Sequence, residues 1–151
     1  MTQVARATWP WIAAALYCWV LNANAADLPA NLQKSLATRQ VDGAKIENGT
    51  LYMTTRRPVV KRELFDGVLT FGICWTADTW GRADIRRIEI RNDIGAQGFS
   101  FQGGRRECEA IKKIALDEKQ RSQYIADRIW VCIAGNPCRP SRPGEVTSGD
   151  L

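Results

Sequence analysis

The cysteines of the stretch CIAGNPCRP are the residues best suited to chemistry, because Cys132 and Cys138 close over only five intervening residues. Such a pair can be a metal clip, a redox pair or a disulfide that closes a loop. Zinc sites built from cysteine usually use paired short C-x-x-C units, and thioredoxin-like centres keep two residues between their sulfurs. The wider spacing here favours a disulfide, and no metal site is predicted.

Two further cysteines, Cys74 and Cys108, remain once the N-terminal segment that holds Cys18 is set aside. Four cysteines allow three pairings. Cys132 ends a predicted strand and Cys138 follows an Asn-Pro turn, so the chain can fold back between them. We therefore predict a bridge between Cys132 and Cys138, which leaves Cys74 to pair with Cys108.

The loop closed by the Cys132–Cys138 bridge is a candidate binding surface formed by Gly135, Asn136 and Pro137. Gly and Asn tolerate unusual φ angles, and Pro has its φ fixed. A closed loop loses less conformational entropy when it meets a partner, which raises affinity. In an alternative interpretation the bridge only fixes the end of the last strand, and no partner is needed.

Histidine is absent from the sequence, which excludes Ser-His-Asp and Cys-His catalysis. Carboxylate catalysis needs two acids in different environments, and the candidates are Asp66, Asp78, Asp84, Asp93 and Glu107. Asp78 and Asp84 flank the turn after the second predicted helix, where a cleft can form. Acids at turns also cap helices and solvate loops, so this pair defines only an alternative, hydrolytic hypothesis.

The stretch GGRRE places two glycines before a predicted helix, with Arg105 and Arg106 in its first turn. Backbone N–H groups and arginines in this position can bind an anion, although a Gly-Gly pair often just ends a strand. The lysine of a phosphate-binding loop is missing, so no nucleotide cofactor is predicted. The basic residues match no nucleic-acid-binding signature, and nucleic acid is not expected as a partner.

The N-terminal residues 1–25 have the pattern of a secretory signal peptide. Arg6 precedes the apolar run WPWIAAALYCWVL, and the small-residue site at 23–25 predicts cleavage after Ala25. The apolar run is shorter than the roughly 20 residues that cross a bilayer. Cleavage changes the formal charge from +5 to +4. We therefore expect an exported protein, periplasmic or extracellular, with oxidised cysteines and no transmembrane segment after cleavage.

Apolar periodicity predicts three helices. The first spans 28–38, with its leucines at spacings of four. The second opens at Pro58 and runs through Trp80, with one face formed by Leu64, Val68, Phe71 and Trp75. The third runs from Arg105 to about Leu116, and the charged stretch DEKQRSQ that follows it is predicted to be a connection.

Strands are predicted on both sides of the Asn48-Gly49 dipeptide, which favours a type I′ hairpin turn. A third strand has Ile88 and Ile90 on its buried face, with Arg87, Glu89 and Arg91 on the solvated face. GFSFQ and IWVCIA predict two more strands, and the proline-rich residues 139–151 predict a disordered tail.

These elements predict a single α+β domain over 26–138, in the order α-ββ-α-ββ-α-β. It would contain a small antiparallel sheet with helices on one face, stapled by the disulfides.

The leading functional hypothesis is an exported, non-enzymatic binding module, such as an inhibitor, an immunity factor or an envelope-assembly factor. Its partner would be a protein or an envelope component. The alternatives are a small carboxylate-dependent hydrolase of cell-wall material and an accessory subunit of an envelope complex.

Overall fold

The computed structural model describes residues 27–142, so the predicted signal peptide and residues 143–151 lie outside the described part of the chain. Within these residues, six strands form one sheet in sequence order. They are β1 (Val41–Glu47), β2 (Thr50–Thr55), β3 (Arg87–Arg91), β4 (Gly98–Phe101), β5 (Ile129–Cys132) and β6 (Arg139–Pro140). The predicted α+β architecture is confirmed.

The sheet departs from the predicted antiparallel arrangement at one pair, because β2 and β3 run parallel. All the other neighbouring strands are antiparallel. A parallel pair needs a long crossover, and the helical segment between these strands provides it. The predicted antiparallel sheet is therefore observed as a mostly antiparallel one with a single parallel pair.

The helices are α1 (Ala30–Ala37), α2 (Arg62–Gly67), α3 (Arg105–Lys113) and α4 (Glu118–Ala126). After α2 the chain continues as a π-helix over Val68–Ile73 and a 3₁₀-helix over Cys74–Thr79. The predicted helix from Pro58 to Trp80 thus begins four residues later and changes its winding twice. Within the described residues, no helix has the length and apolarity needed to cross a membrane.

The charged stretch predicted as a connection is part of α4, which is a correction to the sequence interpretation. Asp117 caps this helix by accepting a hydrogen bond from the Gln120 N–H at 2.9 Å. Ile125 is the one buried residue of α4, so the helix has no apolar stripe from which periodicity could predict it.

The C-terminal tail was predicted to begin at residue 139, but Arg139 and Pro140 form β6. They pair with Val131 and Trp130 of β5. The bridge from Cys132 to Cys138 returns the chain beside β5 and brings these residues into the sheet. The remainder of the predicted tail beyond residue 142 lies outside the described residues.

The hydrophobic core lies between one face of the sheet and the helices. Ile88 and Ile90, which were predicted to face inward, are buried in it together with Phe99 and Phe101 of β4. The helical side contributes Leu32, Phe65, Leu69, Ile73, Ile111 and Ile125. The Phe65 and Phe99 rings meet edge to face at 5.5 Å, so an aromatic contact joins the two layers.

The opposite face of the sheet is less solvated than the alternation of β3 predicts. Glu89 is only 6% exposed, so its assignment to a solvated face is wrong. It lies in a central strand, between Tyr52 of β2 and Ser100 of β4. Strand neighbours on both sides, together with the adjacent Arg91, shield its carboxylate from water.

Both predicted disulfides are confirmed. One joins Cys74 of the 3₁₀-helix to Cys108 of α3, and the other closes the last hairpin between Cys132 and Cys138. The hairpin turn at Asn48-Gly49 is confirmed as well, because these residues have φ angles of 50° and 75°. Two consecutive positive φ angles are the signature of a type I′ turn.

Candidate functional site

The loop between Cys132 and Cys138 is a tight turn on the protein surface. Ala134 and Gly135 both have positive φ angles, 53° and 71°, and the Asn136 N–H donates to the Ile133 carbonyl at 3.0 Å. Gly135, Asn136 and Pro137, the predicted binding residues, are all exposed. The turn is therefore accessible, but its conformation alone identifies no ligand.

Arg91 holds this turn in place from β3, which β4 separates from β5. Its Nη2 donates to the Asn136 carbonyl at 3.0 Å, and its Nη1 donates to the Gly95 carbonyl at 3.0 Å. The same Nη2 lies 3.6 Å from the Cys138 Sγ. The Gly135 N–H also donates to the Ala96 carbonyl at 2.9 Å, so the loop is fixed to the β3–β4 turn.

Glu89 lies beside Arg91 and the two cysteines. We call this group the disulfide cluster, and its members are Glu89, Arg91, Cys132 and Cys138. The Glu89 Oε1 accepts from the Arg91 Nε at 2.6 Å. A carboxylate oxygen of Glu89 and the two sulfurs all lie within 4.8 Å of one another. Among the described residues this is the group with metal-ligand character, but its sulfurs are bonded to each other. Disulfide sulfurs are not thiolate ligands.

Sequence reasoning missed Glu89 and Arg91, which lie more than 40 residues before the cysteines. The available signal was their spacing of two on a strand, which places both side chains on the same face of the sheet. Their proximity to the sulfurs depends on the pairing of β3 with β4 and of β4 with β5.

The two acids of the candidate catalytic pair have separate partners. The Asp78 Oδ1 lies 3.4 Å from the Lys112 Nζ, and the Asp84 Oδ2 lies 3.2 Å from the Arg86 Nε. The two carboxylate side chains are 62% and 72% exposed. Each is a solvated surface acid beside its own cation, whereas acid–base catalysis uses acids in a more enclosed setting.

The predicted anion site at the start of α3 already contains a carboxylate. The Glu107 Oε2 accepts from the Gly104 N–H at 2.9 Å, as in one half of a capping box. Arg106 pairs with the same carboxylate at 2.8 Å, and the Arg105 Nη2 donates to the Gly81 carbonyl at 2.6 Å. Burial acts to raise the pKa of Glu107, but the hydrogen bonds from Gly104 and Arg106 outweigh this effect and lower that pKa. An added anion would have to displace Glu107.

A small cleft of about 230 Å³ lies between α2 and α4 and contains Asp66. The Asp66 Oδ1 lies 2.7 Å from the Arg62 Nε, and the Arg62 Nη2 donates to the Ser122 carbonyl at 3.0 Å. Burial raises the pKa of Asp66, although Arg62 acts in the opposite direction. Arg62 therefore connects α2 to α4 through the Ser122 carbonyl, while it pairs with the buried carboxylate of its own helix.

A further feature is an exposed apolar surface that we call the aromatic patch, defined as Phe71 and Trp75. These side chains are 37% and 56% exposed, and the centres of their rings lie 6.4 Å apart. The Arg121 guanidinium lies 5.5 Å from the centre of the Phe71 ring, and the Arg121 Nη1 donates to the Ala115 carbonyl.

Phe71 and Trp75 were predicted on the same helix face as Leu64 and Val68, and this is wrong. The hydrogen bonds of a π-helix span five residues instead of four, so the winding after Val68 no longer follows the α-helical period. The buried face passes instead to Leu69, Ile73 and Ala77. The aromatic residues are turned outward as a result.

The backbone that carries the patch is tied to its neighbours on both sides. The Ser35 Oγ donates to the Gly72 carbonyl at 2.7 Å, and the Arg39 Nη2 donates to the Phe71 carbonyl at 3.2 Å. Cys74, between the two aromatic residues and next to Trp75, is bonded to Cys108 of α3. The two rings are therefore presented from a fixed segment.

Comparison with known proteins identifies no relative: no protein-family model matches the chain, and neither a curated protein nor a solved structure is significantly similar to it. The geometry of these sites is therefore the basis on which a function is inferred.

Proposed function

We propose that this chain is an exported protein-binding module and that the aromatic patch is its contact surface. The observation that carries the proposal is Trp75, which is 56% exposed beside the 37% exposed Phe71. Tryptophan is the side chain most enriched among residues that dominate binding energies, and large apolar side chains grouped at a surface are a feature of interaction sites.

The rigidity of the patch supports the same proposal. Binding is weakened by the entropy lost when mobile side chains and loops become ordered. Here the Cys74–Cys108 bridge and the hydrogen bonds to Phe71 and Gly72 fix the backbone before any partner arrives. A preorganised aromatic pair retains more of its burial energy as affinity.

The charge around the patch points to an acidic partner. Arg121 lies over the Phe71 ring, and the exposed Arg39 contacts the Phe71 backbone. The chain as a whole has a formal charge of +5. A protein surface that offers an apolar pocket rimmed by Asp and Glu is complementary to this arrangement, and its field would speed the encounter.

Two observations support export. Disulfides persist in oxidising compartments, and both bridges of this chain are formed. The N-terminal residues 1–25 have the composition of a signal peptide. An inhibitor, an immunity factor or an envelope-assembly factor would combine an export signal with a fixed contact surface.

The test is affinity capture from envelope extract with the oxidised protein, followed by affinity measurement with the purified captured protein. Trp75→Ala should weaken that affinity by about 30-fold, which corresponds to a hot-spot loss of about 2 kcal/mol. Arg39→Glu should weaken it too, with a larger effect at low salt.

The matched control is Ile94→Ala, because Ile94 is a 78% exposed apolar residue outside the patch. This variant should bind as the wild type does. Equal affinities for the wild type and the Trp75 variant, with both proteins folded by circular dichroism, would overturn the proposal.

A further inference from the structure

We propose that the Cys132–Cys138 disulfide is a redox centre that exchanges with the dithiol of a partner protein, with Arg91 and Glu89 as its charged groups. This activity belongs to the disulfide cluster and does not depend on the aromatic patch. The cluster lies on the sheet face opposite the helical core, whereas the patch lies on the helical layer.

The two sulfurs differ in accessibility, as an exchange reaction requires. Cys132 is fully buried at the end of β5, whereas Cys138 is partly exposed beside the surface turn. Thiol–disulfide exchange proceeds by attack of a thiolate on one sulfur, and access decides which sulfur is attacked. An incoming thiolate therefore reaches Cys138.

Arg91 places a positive charge at the accessible sulfur. Its Nη2 lies 3.6 Å from the Cys138 Sγ, and its other hydrogen bonds to Glu89, Gly95 and Asn136 hold the guanidinium there. A nearby cation stabilises a cysteine thiolate. Stabilisation of the reduced form makes a disulfide a stronger oxidant.

Glu89 supplies a group for proton transfer. Its side chain is only 7% exposed, and one of its carboxylate oxygens lies within 4.8 Å of both sulfurs. When the bond breaks, the buried Cys132 sulfur receives an electron pair in a site that disfavours charge. Glu89 can relay a proton from solvent to that sulfur.

A partner thiolate attacks the Cys138 Sγ, the bond between Cys132 and Cys138 breaks, and its electron pair goes to Cys132, which is protonated. The partner's second thiol loses its proton to solvent and attacks the partner sulfur of the mixed disulfide. Cys138 then leaves as a thiolate beside Arg91. The partner dithiol loses two electrons and becomes a disulfide, and this protein's disulfide gains them.

The second bridge of the chain provides an internal control. Cys74 and Cys108 are both fully buried in the core. They have the same chemistry as the first pair but no access for a thiolate. Selective reaction of the Cys132–Cys138 bridge in the folded protein is therefore the diagnostic result.

The experiment equilibrates the folded protein with mixtures of reduced and oxidised glutathione, followed by acid quenching, alkylation and mass spectrometry of each cysteine. The Cys132–Cys138 bridge should become reduced while the Cys74–Cys108 bridge stays intact.

Arg91→Gln should shift the equilibrium between the Cys132–Cys138 bridge and glutathione toward the disulfide by about tenfold. Arg91→Lys, which keeps the charge, should shift it by less. Glu89→Gln should slow exchange with a dithiol peptide more than it shifts the equilibrium.

Cysteine variants keep the proposal falsifiable if Arg91 variants do not fold. Cys132→Ser should accumulate a mixed disulfide with glutathione at Cys138, and Cys138→Ser should accumulate far less at the buried Cys132. The proposal is overturned if the two bridges of the wild type resist glutathione equally, or if both single variants react equally.

Discussion

The side-chain amide of Gln97 forms two hydrogen bonds with the backbone of Val60. Its Oε1 accepts from the Val60 N–H at 2.8 Å, and its Nε2 donates to the Val60 carbonyl at 3.1 Å. Beside it, the Asn92 Nδ2 donates to the Pro58 carbonyl at 2.9 Å. The segment before α2 is thus fixed to the β3–β4 turn by side chains that imitate a strand partner.

Gln97→Glu should lower the free energy of unfolding by about 1–3 kcal/mol, because a carboxylate oxygen would face the Val60 carbonyl and leave that acceptor unpaired. Urea denaturation at pH 7 measures the change. Gln33→Glu on the exposed surface of α1 is the matched control and should stay within about 0.5 kcal/mol. Equal stability of the Gln97 variant and the wild type would refute the assigned role of this contact.

Asp66 should contribute more to the stability of the folded protein at acidic pH than at neutral pH. Burial raises its pKa above the ordinary 3.8, with Arg62 opposing, so the folded state binds this proton more tightly than the unfolded chain. Its contribution to stability is therefore fully present below pH 3.8 and is lost as the pH rises through the folded pKa. The stability of the wild type relative to Asp66→Asn should increase between pH 7 and pH 4, measured by denaturation at both values. A constant difference would contradict this assignment.

Glu107 should have the opposite pH dependence. Burial acts to raise its pKa, but the hydrogen bonds from Gly104 and Arg106 bring it below the ordinary 4.5. Its stabilisation is present above pH 4.5 and is lost as the pH falls through the folded pKa. Wild type should therefore lose its advantage over Glu107→Gln on acidification. The same denaturation series tests both carboxylates. If the stability of the wild type relative to each variant changes in the same direction on acidification, one of the two pKa assignments is incorrect.

Two glycines should respond in opposite directions to alanine. Gly67 has helical φ and ψ angles of −66° and −47°, and a Cβ there would have no neighbour within 4 Å. Gly67→Ala should raise stability by about 0.5–1 kcal/mol through reduced chain entropy. A Cβ at Gly98 would lie 2.0 Å from the Ile90 carbonyl oxygen, so Gly98→Ala should destabilise the sheet strongly. Thermal unfolding distinguishes the two, and a destabilised Gly67 variant would refute the first expectation.

Several local features of the structure could be predicted from the sequence. The turn at Asn48-Gly49 follows from two residues that tolerate positive φ angles, and the alternation of Ile88 with Ile90 identified a buried strand face. The disulfide pairing followed from the short separation of Cys132 and Cys138 and from the even cysteine count. The residues that determine the turn, the strand face and the Cys132–Cys138 bridge lie close together in the chain, and Cys74 and Cys108 were paired because they alone remained.

The features that depend on winding or on distant neighbours were decided by the tertiary structure. The π-helical turn after Gly67 moved Phe71 and Trp75 from the predicted buried face to the surface, because periodicity assumes one winding throughout. Helix α4 has one buried residue and therefore left no apolar pattern. The proximity of Glu89 and Arg91 to the two sulfurs requires three strands to pair in register, and that register is set by the whole buried face and not by local residues.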